Sequence, residues 1–393
     1  MKKFTLFTLL TFFLTAHLMA DTFSLSLYQN GTDNLFQNIY GESDYLSNLN
    51  IYVDKNLSQL SIFTQGNYSY LIKNPSLSYY VHDLGLDYLV PINDKSAFYF
   101  SMTGKKTFFR TDYSDFNYLS LNFFAAFKTY LSQTSIVKSN YSFEYKNYTS
   151  SYFDFVSNAF FFSLDKYFPS KTTVKAEMNW GYKYFMHPYI SQEIITIEGD
   201  QYSNNGNGKG KGHYLGGMGS QFITRTDGGG QGIQVLSLTG LIAQGFGNNV
   251  GIRLTGMKQW ALSGKNPFTF VEEFYSVENP SYDRFSWEGY QIHSQLTVLV
   301  PWNIQLKIGY TIADKEFPGI ESLNLDGESL GITRKDERKQ FEARVEKNFP
   351  KFSIFLSYYH INNRSNDSFF EWNGQFISAG VEWNLFFGEK NEN

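Results

Sequence analysis

Apolar and polar residues alternate with period two over long stretches of this chain. The stretch Val174-Lys175-Ala176-Glu177-Met178-Asn179-Trp180-Gly181-Tyr182-Lys183-Tyr184 does so without exception, with apolar or aromatic residues at even positions and Lys, Glu, Asn, Gly and Lys at odd ones. Period two sends successive side chains to opposite faces of a strand, so such a stretch has one apolar and one polar face. Residues 137–145 follow the rule with Ser139 as the one misfit, and 304–312 and 377–385 repeat it. In 119–131, Leu119, Leu121, Phe123, Ala125 and Phe127 share one face, and Ser120, Asn122 and Lys128 share the other. The polar faces carry charges in mid-strand. Several runs also exceed the length of about five or six residues usual in soluble sheets, which fits strands crossing a bilayer obliquely.

The turns sort into two classes that alternate along the chain. Short connections recur at Val90-Pro91-Ile92-Asn93, Leu131-Ser132-Gln133-Thr134, Phe168-Pro169-Ser170-Lys171, Gly245-Phe246-Gly247-Asn248-Asn249, Val300-Pro301-Trp302-Asn303 and Phe349-Pro350-Lys351. In four of them an apolar residue followed by Pro closes a strand, since Pro has no N–H for the ladder. Every long connection (31–44, 187–230, 263–282 and 318–334) falls in the other class. Short turns on one side and long loops on the other are the parity of a barrel inserted from the periplasm.

Strands are expected near 22–30, 45–57, 59–72, 76–90, 95–109, 115–131, 134–148, 152–167, 171–186, 231–245, 248–262, 283–300, 303–317, 335–349, 351–363 and 371–387. These make about sixteen, with 14–18 as the range. Phe160-Phe161-Phe162 blurs the alternation in the eighth, and residues 190–204 and 213–225 could pair as a further hairpin.

Composition narrows the setting. The chain has 393 residues, 19% aromatic but only 42% hydrophobic and 18% charged, with no Cys. So many rings diluted in Ser, Asn, Thr and Gly argue against a helical bundle, a disordered chain or a polytopic helical membrane protein. Met1-Lys2-Lys3, the apolar run that begins at Phe4, and Ala20 have the layout of a secretory signal peptide over residues 1–20. Removing Lys2 and Lys3 leaves 31 of the 33 basic residues against 37 acidic ones, about −6, with no basic run for nucleic acid.

Together these features resemble the bacterial outer-membrane β-barrel class, porin-like in size and loop pattern: an all-β, transmembrane, antiparallel up-and-down barrel. The run Val381-Glu382-Trp383-Asn384-Leu385-Phe386-Phe387 resembles a barrel-assembly signal, although residues 388–393 follow it as a short periplasmic tail. The resemblance implies a barrel over 21–387 in the cell outer membrane of a Gram-negative bacterium, with outer-membrane lipid, the barrel-assembly machinery and small hydrophilic solutes as partners. Homo-oligomer formation stays open.

Lumen-lining candidates follow from parity: Lys128, Lys138, Glu144, Lys146, Lys175, Glu177, Lys183, Arg253, Lys307, Glu342, Arg344 and Glu346. Interleaved signs suit either a constriction that sorts solutes or a polar network filling the lumen. Catalytic chemistry finds little support. His293 and Ser294 are adjacent on an expected strand and point to opposite faces, and no Gly-x-Ser-x-Gly or His-Glu-x-x-His element is present. The Gly-rich run at 204–212 lacks the Lys-Ser/Thr ending of a phosphate loop and reads as an external loop. Acids at Asp112, Asp115, Glu272, Glu273, Asp326 and Glu328 lack calcium-loop spacing. The expectation is a passive channel without cofactor, catalytic residues or metal. A closed barrel serving as receptor, adhesin or anchor is the alternative, and an outer-membrane hydrolase a weaker third.

Overall fold

The computed structural model describes residues 21–149, 154–187, 231–265 and 283–386. The proposed signal peptide, nearly all of 187–230, most of 263–282 and the tail at 388–393 therefore lie outside the described residues.

Sixteen antiparallel strands close into one barrel, each paired with its neighbours in sequence and the last with the first. The first eight are β1 (Thr22–Thr32), β2 (Asp44–Leu57), β3 (Leu60–Leu71), β4 (Tyr79–Asn93), β5 (Ser96–Phe109), β6 (Tyr118–Ser132), β7 (Ser135–Tyr148) and β8 (Phe155–Tyr167). The second eight are β9 (Thr172–Phe185), β10 (Gln231–Phe246), β11 (Val250–Ser263), β12 (Glu288–Val300), β13 (Ile304–Leu323), β14 (Ser329–Asn348), β15 (Phe352–Ser365) and β16 (Trp372–Phe386). Closure leaves no unpaired edge, which is what lets a sheet stand in hydrocarbon.

Cross-strand partners share a face, so the register sorts every strand residue inward or outward. Outward residues include Leu84, Leu86, Met102, Phe123, Phe160, Phe162, Ile242, Leu254, Ile292 and Leu356, all large apolar side chains left exposed. They form a continuous belt around the wall, the reverse of a soluble sandwich, and identify the fold as an outer-membrane barrel. Inward residues are mixed, and many are polar and buried: Ser26, Ser120, Ser163, Lys183 and Ser357.

Two expectations differ from the fold. Residues 318–334, expected as a loop, belong mostly to β13 and β14, which continue as a paired hairpin to a tight turn at 324–328. Outward Asp314, Glu316, Lys335, Glu337 and Lys339 mark this extension as standing above the belt. Pro318 and Gly319 look like loop residues, but the ladder accommodates them in an irregularity between Glu316 and Glu321. Residues 283–287, expected as the start of a strand, instead fold against the inner wall before β12 begins.

Candidate functional site

The barrel interior is the candidate site. By register, all twelve sequence-nominated residues stand on the face opposite the belt. Lys128 and Lys138 face each other across β6 and β7, Lys307 and Arg344 across β13 and β14, and Arg253 pairs with Gln295 of β12. Like charges directly opposite repel, and each pair is relieved locally. Lys138 Nζ lies 2.7 Å from Asp165 Oδ2, and the Lys128 ammonium sits 4.8 Å from the centre of the Tyr130 ring. Arg344 Nη2 lies 2.9 Å from Glu346 Oε2, and its guanidinium covers Phe355 at 4.0 Å. Lys175 pairs with Glu177, the next inward residue on β9. Lys146 lies 3.8 Å from Glu144 and 4.2 Å from the Tyr118 ring centre.

One strand carries charge along most of its inward face. On β14 the inward residues are Arg334, Asp336, Arg338, Gln340, Glu342, Arg344 and Glu346. Arg334 grips Asp336, Arg338 donates to Gln340 at 3.3 Å, and Gln340 donates to Glu342 at 3.4 Å. Asp336, Arg338 and Gln340 share the parity of Glu342, Arg344 and Glu346 within the expected strand 335–349 but are not among the nominated residues, and Arg334 falls in the expected loop 318–334.

At the outer end of this row the polar chain becomes a buried node. The Arg334 guanidinium lies 4.2 Å from the Phe317 ring and 3.3 Å from the Phe370 ring. It donates to Asp336 through Nε and Nη2 at 3.0 and 2.5 Å, and Asp336 also accepts from Asn363 and Ser365. Asp367 caps the following turn by accepting from Phe369 N and Leu323 N, while burial raises its carboxyl above the usual range. The node ties the tall β13–β14 hairpin to the β15–β16 connection.

Aromatic rings also point inward, which the alternation pattern alone did not reveal. Phe63 lies over Gly85, where a Cβ would come within 2.2 Å of the ring, and stacks on Tyr52 with centroids 5.9 Å apart. Tyr28 and Phe355 both lie over Gly380, with Cβ approaches of 2.4 and 2.7 Å. Each glycine leaves a shelf on the wall where a neighbouring ring lies across the strand. Finding such pairs needs the register, which sequence does not give.

Residues 283–287 form a strap against the inside of the wall. Asp283 pairs with Lys183 of β9 at 2.7 Å, Arg284 donates to Asn179 at 3.4 Å, and Phe285 occupies the space left by Gly181. Gln259 of β11 donates to the carbonyls of Arg284 and Trp287 at 2.8 and 2.6 Å. Trp287 then packs with Phe317 and Ile320 of β13. Burial lowers the Arg284 pKa, opposed by the nearby carboxylates of Asp283 and Glu144.

His293 points inward and Ser294 outward, as their parity requires. His293 Nδ1 lies 2.9 Å from Thr311 Oγ1 and its Nε2 lies 3.8 Å from Glu342 Oε1, whereas Ser294 donates to the Tyr310 carbonyl. Among the described residues, no group of three or more His, Asp or Glu is placed to hold a metal ion.

No protein-family profile matches the sequence, and no curated protein matches it. Similar solved structures include OpdO of Pseudomonas aeruginosa, 7% identical, with 93% of this chain and 96% of that one covered and a TM-score of 0.47. OccAB1 of Acinetobacter baumannii is 9% identical over 94% and 98% of the two chains, with a TM-score of 0.47. A loop-deletion mutant of OmpT, an outer membrane protein of Vibrio cholerae, is 12% identical over 93% and 100%, with a TM-score of 0.43.

Proposed function

We propose that the chain is a porin-like outer-membrane channel through which small hydrophilic solutes diffuse passively. The observation that carries this reading is the solvent exposure of inward charges. Arg253 is exposed although it faces inward, and the side chains of Arg344 and Lys138 are 35% and 32% exposed. Charges held in a dry, filled lumen would be desolvated at a cost of several kcal/mol each. A barrel of about this strand number has room for an aqueous lumen.

Both signs line the wall, and many charges are paired across or along strands. Such a lumen favours solutes by size and polarity, with weak preference for either sign of ion. The strap at 283–287 occupies space inside the outer half and narrows the path there. The belt meets outer-membrane lipid, and β16 with the residues after it offers the barrel-assembly machinery its signal.

Swelling of proteoliposomes in sugars of increasing mass tests this reading. The channel admits small sugars quickly and excludes larger ones. A closed receptor or anchor gives no swelling with any of them.

A further inference from the structure

We propose that the inner wall made by β15, β16, β1, β2 and β3 is a binding track for uncharged linear oligosaccharides, resting on the channel reading above for their passage. These five strands are consecutive around the closed barrel. Among the residues on their inward faces, Asp44, Asp54 and Glu382 are the charged ones. Asp44 lies at the outer end, where it accepts from the backbone N–H groups of Lys73 and Asn74. Glu382 and Asp54 lie in the periplasmic half of their strands. The stretch between is neutral, whereas neighbouring β14 carries cations and anions down its inward face.

Aromatic rings stand on this neutral wall at three register levels, four residues apart along β16. At the first, Phe376 of β16 faces Tyr359 of β15. Four residues lower, Tyr28 and Phe355 meet over Gly380 with ring centroids 5.5 Å apart. Four residues lower again, Asn384 is level with Ser24 and, one strand further, with Tyr52, which stacks on Phe63 at 5.9 Å. At a strand rise of about 3.3 Å per residue, successive levels are about 13 Å apart. All six side chains are half-buried, so part of each ring meets the lumen. Arg344 covers Phe355 from β14, so Tyr28 supplies the ring surface at the middle level.

Between the rings the wall offers amides. Asn50 accepts from Gln65 Nε2 at 3.1 Å, and Asn30 and Asn67 share the same inward face. An amide both donates and accepts, as a sugar hydroxyl does, and an aromatic face attracts the weakly positive C–H groups on the flat side of a pyranose. An ion finds its counter-charges on the β14 side of the lumen instead. A bare aromatic solute would stack on the rings but leave the amides unanswered. Repetition of the ring levels fits a ligand that repeats along its own length, whereas a single nucleoside would use one level only. A chain that reaches two levels gains from both, because the second contact is intramolecular.

Calorimetric titration of the full-length protein in detergent with glucose, maltose, maltohexaose and adenosine tests the assignment. Maltohexaose is expected to bind about tenfold or more tightly than maltose, with glucose and adenosine weaker still. Tyr28→Ala and Tyr52→Ala should each weaken maltohexaose by about tenfold, the scale of one lost aromatic contact. Tyr28→Leu or Tyr52→Leu makes the same test if an alanine variant does not fold, and Tyr28→Phe, which keeps the ring, should bind as the wild type does. Tyr80→Ala removes an exposed ring from the lipid face and should change nothing. Equal affinity for maltose and maltohexaose, no binding of either, tighter binding of adenosine, or a ring-deleted variant with wild-type affinity overturns the proposal. The readout does not require conduction. A barrel that binds maltohexaose but passes no current supports the track while overturning the channel, and a conducting barrel that binds no sugar overturns the track alone.

Discussion

Glu342 of β14 reaches His293 of β12 across an intervening strand because Gly309 of β13 lies beneath it. The carboxylate oxygen Oε1 stands 3.8 Å from His293 Nε2, and a Cβ on Gly309 would come within 2.5 Å of that same oxygen. The obstructing atoms are the far end of a flexible side chain, so Gly309→Ala should fold normally and turn Glu342 into the lumen. Single-channel conductance should fall while thermal stability holds. Gly256→Ala is the control: it faces lipid with nothing within 4 Å of its Cβ, and should change neither.

Gly85 and Gly380 carry rings rather than a carboxylate, and rings yield less easily. In Gly85→Val the new side chain meets Phe63, and in Gly380→Val it is caught between Tyr28 and Phe355. Overpacking of this kind costs about 1–3 kcal/mol. Thermal unfolding in detergent should shift downward for both variants. Removing the ring as well, in Gly85→Val with Phe63→Ala, should recover much of the loss; an unchanged deficit would mean the shelf is not the cause.

Arg334 holds the external hairpin from beneath. Arg334→Met removes the cation between Phe317 and Phe370 and leaves the buried Asp336 carboxylate with only Asn363 and Ser365 among its named donors. Breaking a buried pair costs about 3–5 kcal/mol, here concentrated in the part of β13 and β14 above the belt. Limited proteolysis from the outside should cut between 317 and 335 in the variant and spare the rest of the barrel. Lys335→Ala, which removes an exposed partner of Glu316, should leave the digestion pattern unchanged.

On the channel reading proposed above, pairing of the inward charges leaves a weak ion preference. Lys175→Met leaves Glu177 without its neighbouring ammonium, and the reversal potential in a salt gradient should move toward cation preference. Arg253→Gln should move it the same way. The double exchange Lys175→Glu with Glu177→Lys preserves the local charge and should leave the potential close to wild type.

The barrel itself was legible because a wall between lipid and water imposes period two on every strand. The 174–184 run shows this in full, and turn parity then gives an even count near sixteen. The twelve inward charges followed from the same parity. What stayed hidden depends on contacts between strands. Phe63 and Phe355 look like belt residues until the register sets them over Gly85 and Gly380. Residues 283–287 carry ordinary strand-like side chains, and Lys183, Asn179 and Gly181 on distant β9, with Gln259 of β11, draw them inward. The Phe160-Phe161-Phe162 run blurred one strand because Phe161 points inward, under the Lys175 ammonium at 5.8 Å, while its two neighbours face lipid.

Recordings of the purified protein in planar lipid bilayers test the central claim most directly. A water-filled lumen gives stable, ohmic conductance steps that scale with salt concentration. Insertion into the bilayer without any such steps would contradict the channel and leave a closed barrel in its place.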